Sequence, residues 1–164
     1  MVRSMAVVLA LVFVIVLLAW RPLPDAVTEI DASPVVARAA LQADFTVLDP
    51  SGLPESWRAT SARWETTAES GESLVLHVGY VTPSDEYAQI SESRAASERY
   101  LGEQTSAGAP VGTREVAGQV WQEWESPDRS SLVLIDGGVT TIVSGTGGWD
   151  ELESLVRALN PVAS

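Results

Sequence analysis

The chain has 164 residues and carries 22 acidic residues against ten basic ones, with one histidine and no cysteine. The lack of cysteine excludes disulfides, thiolate nucleophiles, iron–sulfur clusters and cysteine zinc sites. All ten basic residues are arginine, which also excludes a phosphate-loop lysine and Schiff-base chemistry. The net charge of −12 would repel nucleic acid. We therefore expect no cofactor and no nucleic-acid partner.

The chain begins with an uninterrupted apolar segment at residues 5–20. As a helix this segment would be about 24 Å long, against a hydrocarbon core of about 30 Å. Ser4 at one end and the stem of Arg21 at the other complete a span of about 20 residues. The sequence thus predicts that residues 1–23 form a cytoplasmic tip and a transmembrane anchor, with residues 5–20 in the lipid bilayer.

Charges on either side of the anchor predict its orientation. Arg3 precedes it and three acidic residues follow between positions 25 and 31, which places the N-terminus in the cytoplasm. A cleaved secretory signal is the alternative, although residues 24–26 make a poor cleavage site. Both interpretations export the remaining chain, in which eight arginines face 22 acidic residues for a net charge of −14. Neutral or cationic ligands suit such a domain, and acidic lipid headgroups would repel it.

Residues 24–44 have the character of a juxtamembrane segment that contains a short helix. Ser33 can cap this helix, and Pro34 suits its first turn, where a missing N–H costs nothing. The helix is either a stalk or the first element of the domain. A short alternation at residues 45–48 and a run of turn formers at 49–54 come next. We expect residues 45–164 to form one extracytoplasmic domain.

The domain consists of two stretches of predicted strands, each closed by a predicted helix. The first stretch has strand character at residues 57–65, 74–81 and 86–93, with a helix at 94–102. The second has strand character at 113–125, 131–135 and 139–144, with a helix at 149–159. The order βββα thus occurs twice. It predicts an α+β fold in which helices cover one face of a mainly antiparallel sheet of about six strands.

Two local signals in the second stretch are strong. Asp136-Gly137-Gly138 is typical of a tight hairpin, since glycine adopts the positive backbone angles that such turns require. The closing helix has an apolar face at helical spacing, formed by Trp149, Leu152, Leu155, Val156 and Leu159. Asp150 and Glu153 are placed to cap its first turn. We expect this helix to cover the sheet.

Several short motifs carry a family resemblance: Leu53-Pro54, Trp57-Arg58-Ala59-Thr60, the segment 77–83, Gly118 with Trp121, and the segment 140–146 with Gly145. Together with the anchor, they resemble an uncharacterised family of bacterial single-pass membrane proteins, domain-of-unknown-function family 4245. The resemblance covers nearly the whole chain and implies no activity. The order of elements is also similar to the Mog1/PsbP-type fold of some exported bacterial lipoproteins, although this chain lacks a lipobox cysteine.

His77 is the only histidine and lies in a predicted strand. Alternation places it with Val75, Gly79 and Val81 on one face, and Tyr80 on the other. A general base would need a nucleophile, yet the sequence has no Gly-x-Ser-x-Gly elbow. A strand histidine is more often solvated or bonded to a backbone carbonyl. We therefore predict no catalytic residue and keep His77 and Tyr80 as candidate contacts of a ligand or partner.

Trp121 and Trp124 are three positions apart in a predicted strand. Strict alternation sends them to opposite faces unless a bulge intervenes. An exposed tryptophan can stack on a sugar or anchor a partner protein. Burial of both, one in the core and one under a helix or a strand edge, is the more common outcome. Both residues are candidate ligand or partner contacts.

Other patterns indicate chemistry only weakly. The glycine-rich segment 144–148 lacks the dinucleotide spacing, and the acidic residues after it would compete with a phosphate. Asp85 with Glu86, or Glu123 with Glu125, could hold calcium loosely. Glu123 and Glu125 could also act as acid and base on a glycoside, but such pairs are common on solvated strands. We expect no metal site.

The sequence as a whole predicts a noncatalytic binding or interaction module of the cell envelope. Its partner would be an envelope protein or a cell-wall component. An envelope hydrolase that uses His77 or a carboxylate pair is the alternative.

Overall fold

The computed structural model describes residues 28–162. The predicted anchor at residues 5–20 lies outside them. Within residues 28–162, no helix is long and apolar enough to cross a bilayer. These residues form three helices and a mainly antiparallel sheet, which confirms the predicted α+β class.

The helices are α1 (Ser33–Gln42), α2 (Glu98–Gln104) and α3 (Trp149–Arg157). The strands are β1 (Leu48–Asp49), β2 (Arg58–Thr66), β3 (Leu74–Val81), β4 (Tyr87–Ser93), β5 (Ala109–Val116), β6 (Gln119–Ser126), β7 (Arg129–Asp136), β8 (Val139–Gly145) and β9 (Asn160–Pro161). Seven of them form one sheet in the order β2-β3-β4-β8-β7-β6-β5, with every neighbouring pair antiparallel. β1 and β9 form a separate two-stranded ribbon.

The sheet has seven strands, whereas the sequence predicts about six. The difference arises at residues 113–125, which are predicted as one strand and are divided between β5 and β6. Ala117 and Gly118 form the turn between them, with φ angles of 53° and 77°. Alanine seldom adopts such an angle, so the local sequence conceals this turn. The second stretch is therefore ββββα, while the predicted glycine hairpin at residues 136–138 is confirmed, with positive φ at both glycines.

Helices lie on both faces of the sheet, and the prediction of one covered face is wrong. The main face is covered by α1 and α3, which contribute Val36, Ala39, Leu152, Leu155 and Val156 to its core. The second face carries α2, whose Tyr100 packs with Val75, Val133 and Ile142. The reason is visible in β3, where Val75 and Leu76 point in opposite directions and are both fully buried. Apolar side chains on both sides of a strand require cover on both sides.

Two predicted helix caps are also wrong. The N-cap of α1 is Ala32, and the Asp31 carboxylate accepts the N–H of Ser33 at 2.9 Å. The N-cap of α3 is Gly148, which has no side chain to offer, and Glu153 bonds arginines instead. The α1 helix packs into the main core, so it is the first element of the domain rather than a stalk.

Both edge strands of the sheet are irregular. The register of β2 against β3 shifts between Ala59 and Ser61, and the Ala59 carbonyl accepts the N–H of Ile30. The register of β5 against β6 shifts between Pro110 and Gly112. Bulges of this kind bend a strand and increase its twist.

Arg114 joins β5, β6 and α3 through three contacts. Its Nε atom donates to Glu123 Oε1 at 2.6 Å, and its Nη1 atom donates to Glu153 Oε1 at 2.7 Å. The guanidinium also lies 5.0 Å from the centre of the Trp149 ring. Arg157, which is more exposed, donates to the other oxygen of Glu153. Arg114 thus attaches the closing helix to the end of the sheet.

Replacing Arg114 with alanine should destabilise the domain more than replacing Arg157. Arg114→Ala leaves Glu123 without its ion-pair partner and removes the contact with Trp149, so we expect a loss of about 1–2 kcal/mol. Arg157→Ala removes one exposed i,i+4 pair and should cost less than about 0.5 kcal/mol. Urea unfolding followed by tryptophan fluorescence measures both values. Equal losses would contradict the joining role of Arg114.

Candidate functional site

The four residues singled out by the sequence are divided between the two faces of the sheet. Trp121 and Tyr80 belong to the main core. His77 lies on the second face, and Trp124 packs there against the second cluster. β6 pairs with β7 in regular register, so the two tryptophans occupy opposite faces by simple alternation. The four candidates therefore lie in two separate regions, one on each face of the sheet.

Tyr80 serves the packing of the main core. It is nearly buried and makes an edge contact with Trp57, with the ring centres 6.3 Å apart. Burial, reinforced by the negative charge of Asp49, raises the pKa of its hydroxyl above the usual value. It lines neither of the two depressions described below.

Two hairpins separate at one end of the sheet. The pairing of β6 with β7 extends from Ser126–Arg129 to Gln122–Val133. Beyond that point, β6 continues to pair with β5 as far as Val116–Gln119, and β7 with β8 as far as Asp136–Val139. The hairpin β5–β6 and the hairpin β7–β8 are therefore no longer joined to each other near their turns. We call the resulting depression on the main face the hairpin cleft.

The hairpin cleft has a volume of about 560 Å³. Trp121, Leu134 and Thr141 form its floor, and the turns of the two hairpins form its mouth through Ala117, Gln119, Asp136, Gly137 and Val139. The opposite wall comes from the loop after α1, from α3 and from the ribbon, through Phe45, Thr46, Leu48, Val156, Leu159 and Pro161. The lining is thus mostly apolar, with a few polar groups at the floor and mouth.

Arg94 closes one end of the hairpin cleft. It donates from Nε to Asp44 Oδ2 at 2.8 Å and from Nη2 to the Asp44 carbonyl at 2.7 Å. Nη1 donates to the Gly137 carbonyl at 3.3 Å, and the guanidinium lies 5.8 Å from the centre of the Phe45 ring. Its charge is therefore matched by Asp44. These contacts hold the loop after α1 against the turn of the β7–β8 hairpin.

Glu92 is a fully buried carboxyl group beside the cleft floor. It lies directly opposite Thr141 in the β4–β8 pairing. Its Oε2 atom accepts the N–H of Leu48 at 3.0 Å, and Oε1 has no hydrogen-bond partner among the described protein atoms. Burial raises the pKa of Glu92 to about 8 against the opposing effect of the Leu48 N–H, and the charge of Asp49 adds to the rise. At neutral pH Glu92 is therefore mainly protonated, and it fastens the ribbon to the sheet.

His77 is held in a hydrogen-bonded chain on the second face. Its Nδ1 lies 2.9 Å from Ser91 Oγ, and the Ser91 hydroxyl donates to Gln104 Oε1 at 2.8 Å. Gln89 also donates to Gln104 Oε1, and the Tyr87 hydroxyl donates to Gln89. Because the serine has one proton and gives it to Gln104, Nδ1 of His77 must carry the proton that it shares with Ser91. Nε2 is then the unprotonated nitrogen.

The environment of His77 keeps its ring neutral. Burial, and next the positive charge of Arg63, lower its pKa to about 4. The residue is 8% exposed and is bonded to a side-chain hydroxyl, whereas the sequence favours a solvated or carbonyl-bonded histidine. The structure thus confirms that His77 lies on the same face of β3 as Val75. Its partner, Ser91, belongs to the neighbouring strand and cannot be predicted from alternation within one strand.

The contact between His77 and Ser91 differs from a catalytic dyad. Ser91 is fully buried and its hydroxyl proton is directed at Gln104, so a substrate cannot reach the oxygen. Within residues 28–162, no carboxylate is hydrogen-bonded to either nitrogen of His77, as an orienting acid would be. The arrangement positions the imidazole ring and does not activate a nucleophile.

A polar depression of about 380 Å³ lies next to His77, and we call it the His77 pocket. Gln89, Gln104 and His77 form its buried or half-buried floor. Arg63, Glu65, Thr67, Glu103 and Arg129 form its rim. Unlike the hairpin cleft, it is lined mainly by hydrogen-bonding groups.

The remaining candidates do not form a site. Trp124 is half-buried against the second cluster, and its indole N–H donates to Gln122 at 3.2 Å. Glu123 is paired with Arg114, and Asp85 with Arg58, so neither carboxylate stands in a pair with its sequence neighbour. Residues 28–162 contain no group of three or more histidine, aspartate or glutamate side chains placed to hold a metal ion.

The family model described as protein of unknown function (DUF4245) matches residues 1–159 of the chain. The chain belongs to this family. A comparison with curated proteins found no match. Membership of the family therefore agrees with the resemblance noted in the sequence and carries no activity with it.

Sequence reasoning missed Glu92, Ser91 and Gln104 in this member of the family. One signal for Glu92 was available, because Ala88 and Ile90 precede it at alternating positions and both are buried on the main face. An acid in the third position of an apolar strand face indicates a buried carboxyl group. No local signal connects Ser91 or Gln104 with His77, since the contact depends on strand order and on the position of α2.

The buried carboxyl of Glu92 predicts a pH-dependent stability. Its pKa is about 8 in the folded protein and near 4.5 in the unfolded chain, so its contribution is fully present below pH 4.5 and is lost as the pH rises through 8. Glu92→Gln keeps an oxygen acceptor for Leu48 and cannot ionise. Each unit of pKa difference corresponds to about 1.4 kcal/mol, so the variant should gain a few kcal/mol over the wild type between pH 4.5 and 8. Chemical unfolding across this range measures the free energy of unfolding of both proteins. The same pH dependence in the wild type and in Glu92→Gln would contradict the prediction.

Proposed function

We propose that the protein is a noncatalytic, membrane-tethered extracytoplasmic domain that binds an uncharged or cationic ligand in the hairpin cleft. The observation that carries this proposal is the cleft itself, a depression of about 560 Å³ where two hairpins of one sheet part. Depressions of this size with an apolar lining and a few polar groups are typical of ligand sites. Trp121, one of the candidates from the sequence, lies in its floor.

The chemistry of the lining favours a ligand without negative charge. Arg94 is the one cationic residue among the residues that line the cleft, and Asp44 already binds it. Asp136 lies at the mouth, and the protonated Glu92 is next to Thr141 behind the floor. An anion would find no uncommitted positive charge here, whereas an amine or a neutral group would meet compatible partners. A cell-wall component or an apolar segment of an envelope protein has this chemistry.

The tether is supported by the sequence of the N-terminal segment. Residues 5–20 are continuously apolar, and the acidic residues all follow them. The surplus of negative charge would hold the domain away from acidic headgroups. A cleft on a domain held outside the membrane would be exposed to envelope ligands.

A hydrolase remains the second candidate because His77 contacts Ser91 at 2.9 Å. The buried position of Ser91 speaks against it, as does the absence, within residues 28–162, of a carboxylate bonded to His77. The open cleft therefore supports a binding function better than the buried contact between His77 and Ser91 supports catalysis.

Cysteine labelling can test the cleft, because the natural chain has no cysteine and each variant will carry a single thiol. Gln119→Cys places the thiol at the mouth of the cleft. A bound ligand at ten times its dissociation constant should slow labelling by a maleimide about tenfold in cells, relative to the purified full-length chain.

Val120→Cys is the matched control for this experiment. Val120 is the next residue of β6, faces the opposite side of the sheet and is 63% exposed. Its labelling rate in cells should match the rate of the purified chain. Equal behaviour of the two positions would contradict ligand binding in the cleft.

The same chemistry tests the tether. With a membrane-impermeant maleimide, Val120→Cys should be labelled in intact cells, because the domain lies outside the membrane. Val2→Cys should be labelled only after permeabilisation, because it precedes the membrane span. Protection of Val120→Cys in intact cells would place the domain in the cytoplasm and overturn this part of the proposal.

A further inference from the structure

Arg129, on the rim of the His77 pocket, has no carboxylate partner in the described part of the chain. This is unexpected in a protein with 22 acidic residues against ten arginines. Arg129 is half-buried and lies over the Tyr87 ring, 5.7 Å from its centre. Arg63, across the same pocket, has only a loose contact of 3.6 Å with Glu65. The pocket therefore offers guanidinium groups whose hydrogen-bonding capacity is largely unused.

The floor of the same pocket offers an acceptor. His77 lines the pocket, and its Nδ1–H is committed to Ser91. Nε2 is unprotonated, and within residues 28–162 no hydrogen bond engages it. Gln104 is nine-tenths buried, and its bonds to Ser91 and Gln89 fix its position. Because Ser91 is fixed in turn, the His77 ring that is bonded to it cannot readily turn. The acceptor is thus held in place before any ligand arrives.

Carboxylates on the rim complete the arrangement. Glu65 and Glu103 line the pocket together with the two arginines. The lining thus contains two cationic and two acidic side chains around a neutral imidazole. A simple anion would meet repulsion from the acids, and a simple cation would meet repulsion from the arginines. A molecule that carries a positive and a negative charge a few bonds apart can pair with the arginines and with the carboxylates at the same time.

We propose that the His77 pocket is a second ligand site, which binds a small zwitterion such as a short peptide with free amino and carboxyl termini. The carboxylate binds Arg129, because one planar guanidinium offers a carboxylate two parallel N–H donors, and the positive charge of Arg63 on the same rim adds attraction. The ammonium group donates to Nε2 of His77 and lies near Glu65 and Glu103. This site is on the opposite face from the hairpin cleft and is independent of it.

The single histidine provides a direct readout of this site. The full-length chain, labelled with ¹⁵N and ¹³C at histidine and held in lipid nanodiscs, gives one set of imidazole signals. Alanylalanine should shift the Nε2 signal in a saturable way, with a dissociation constant in the millimolar range. N-acetyl-alanylalanine lacks the ammonium group and alanylalaninamide lacks the carboxylate. Each should bind at least about tenfold more weakly, which corresponds to 1.4 kcal/mol.

Arginine variants identify the residue that binds the carboxylate. Arg129→Gln should weaken the binding of alanylalanine at least tenfold, and Arg63→Gln should weaken it to a smaller extent because Glu65 already contacts Arg63. Arg38→Gln is the matched control, since Arg38 is exposed on α1 and also has no ion pair among residues 28–162. Thermal unfolding checks that each variant is folded.

Two results would overturn the proposal. One is the absence of a saturable shift with alanylalanine, or equal shifts with all three compounds. The other is unchanged binding in folded Arg129→Gln and Arg63→Gln. Neither result bears on the hairpin cleft, whose labelling at position 119 reports on the other face of the sheet.

Discussion

An antiparallel sheet of seven strands has two faces to cover, and residues 28–162 supply only three short helices for the purpose. Two of them cover the main face with apolar side chains. The third, α2, has seven residues and covers only part of the second face. The rest of that face includes the buried serines Ser91, Ser131 and Ser144. Of these three hydroxyls, only that of Ser91 has a hydrogen-bond partner among the described protein atoms. The polar chemistry of the fold follows from this shortage of helical cover.

The two proposed sites arise from the same constraint in different ways. On the main face, α3 and the ribbon reach only as far as the separating hairpins, and the space left between them is apolar. On the second face, the C-terminal end of α2 brings Gln104 to Ser91 and so fixes His77. Buried polar chains of this kind impose one arrangement on the side chains, because a misplaced group loses its partner. A mostly apolar cleft and a polar pocket therefore occupy opposite faces of one sheet.

The sequence predicts those features that depend on local periodicity. The limits of β3, the glycine hairpin, the apolar face of α3 and the opposite faces of Trp121 and Trp124 all follow from spacing along the chain. The turn at Ala117 and Gly118 is not predicted, because alanine rarely takes a positive φ angle. The partners of His77 are not predicted for a different reason. They depend on how β3 lies against β4 and α2, and the sequence of one segment does not determine this. Strand order decides them, and strand order is a property of the whole chain.

The bulges in the two edge strands have a consequence for copies of this domain that meet one another. The outer strands of a sheet present unpaired N–H and C=O groups, which can add a strand from a neighbour and begin aggregation. Here β2 and β5 both lose their regular register, and Pro110 removes a donor from one of them. Neither border presents a straight template to a second sheet. The irregular borders thus disfavour the addition of a strand from a second copy to either edge of the sheet.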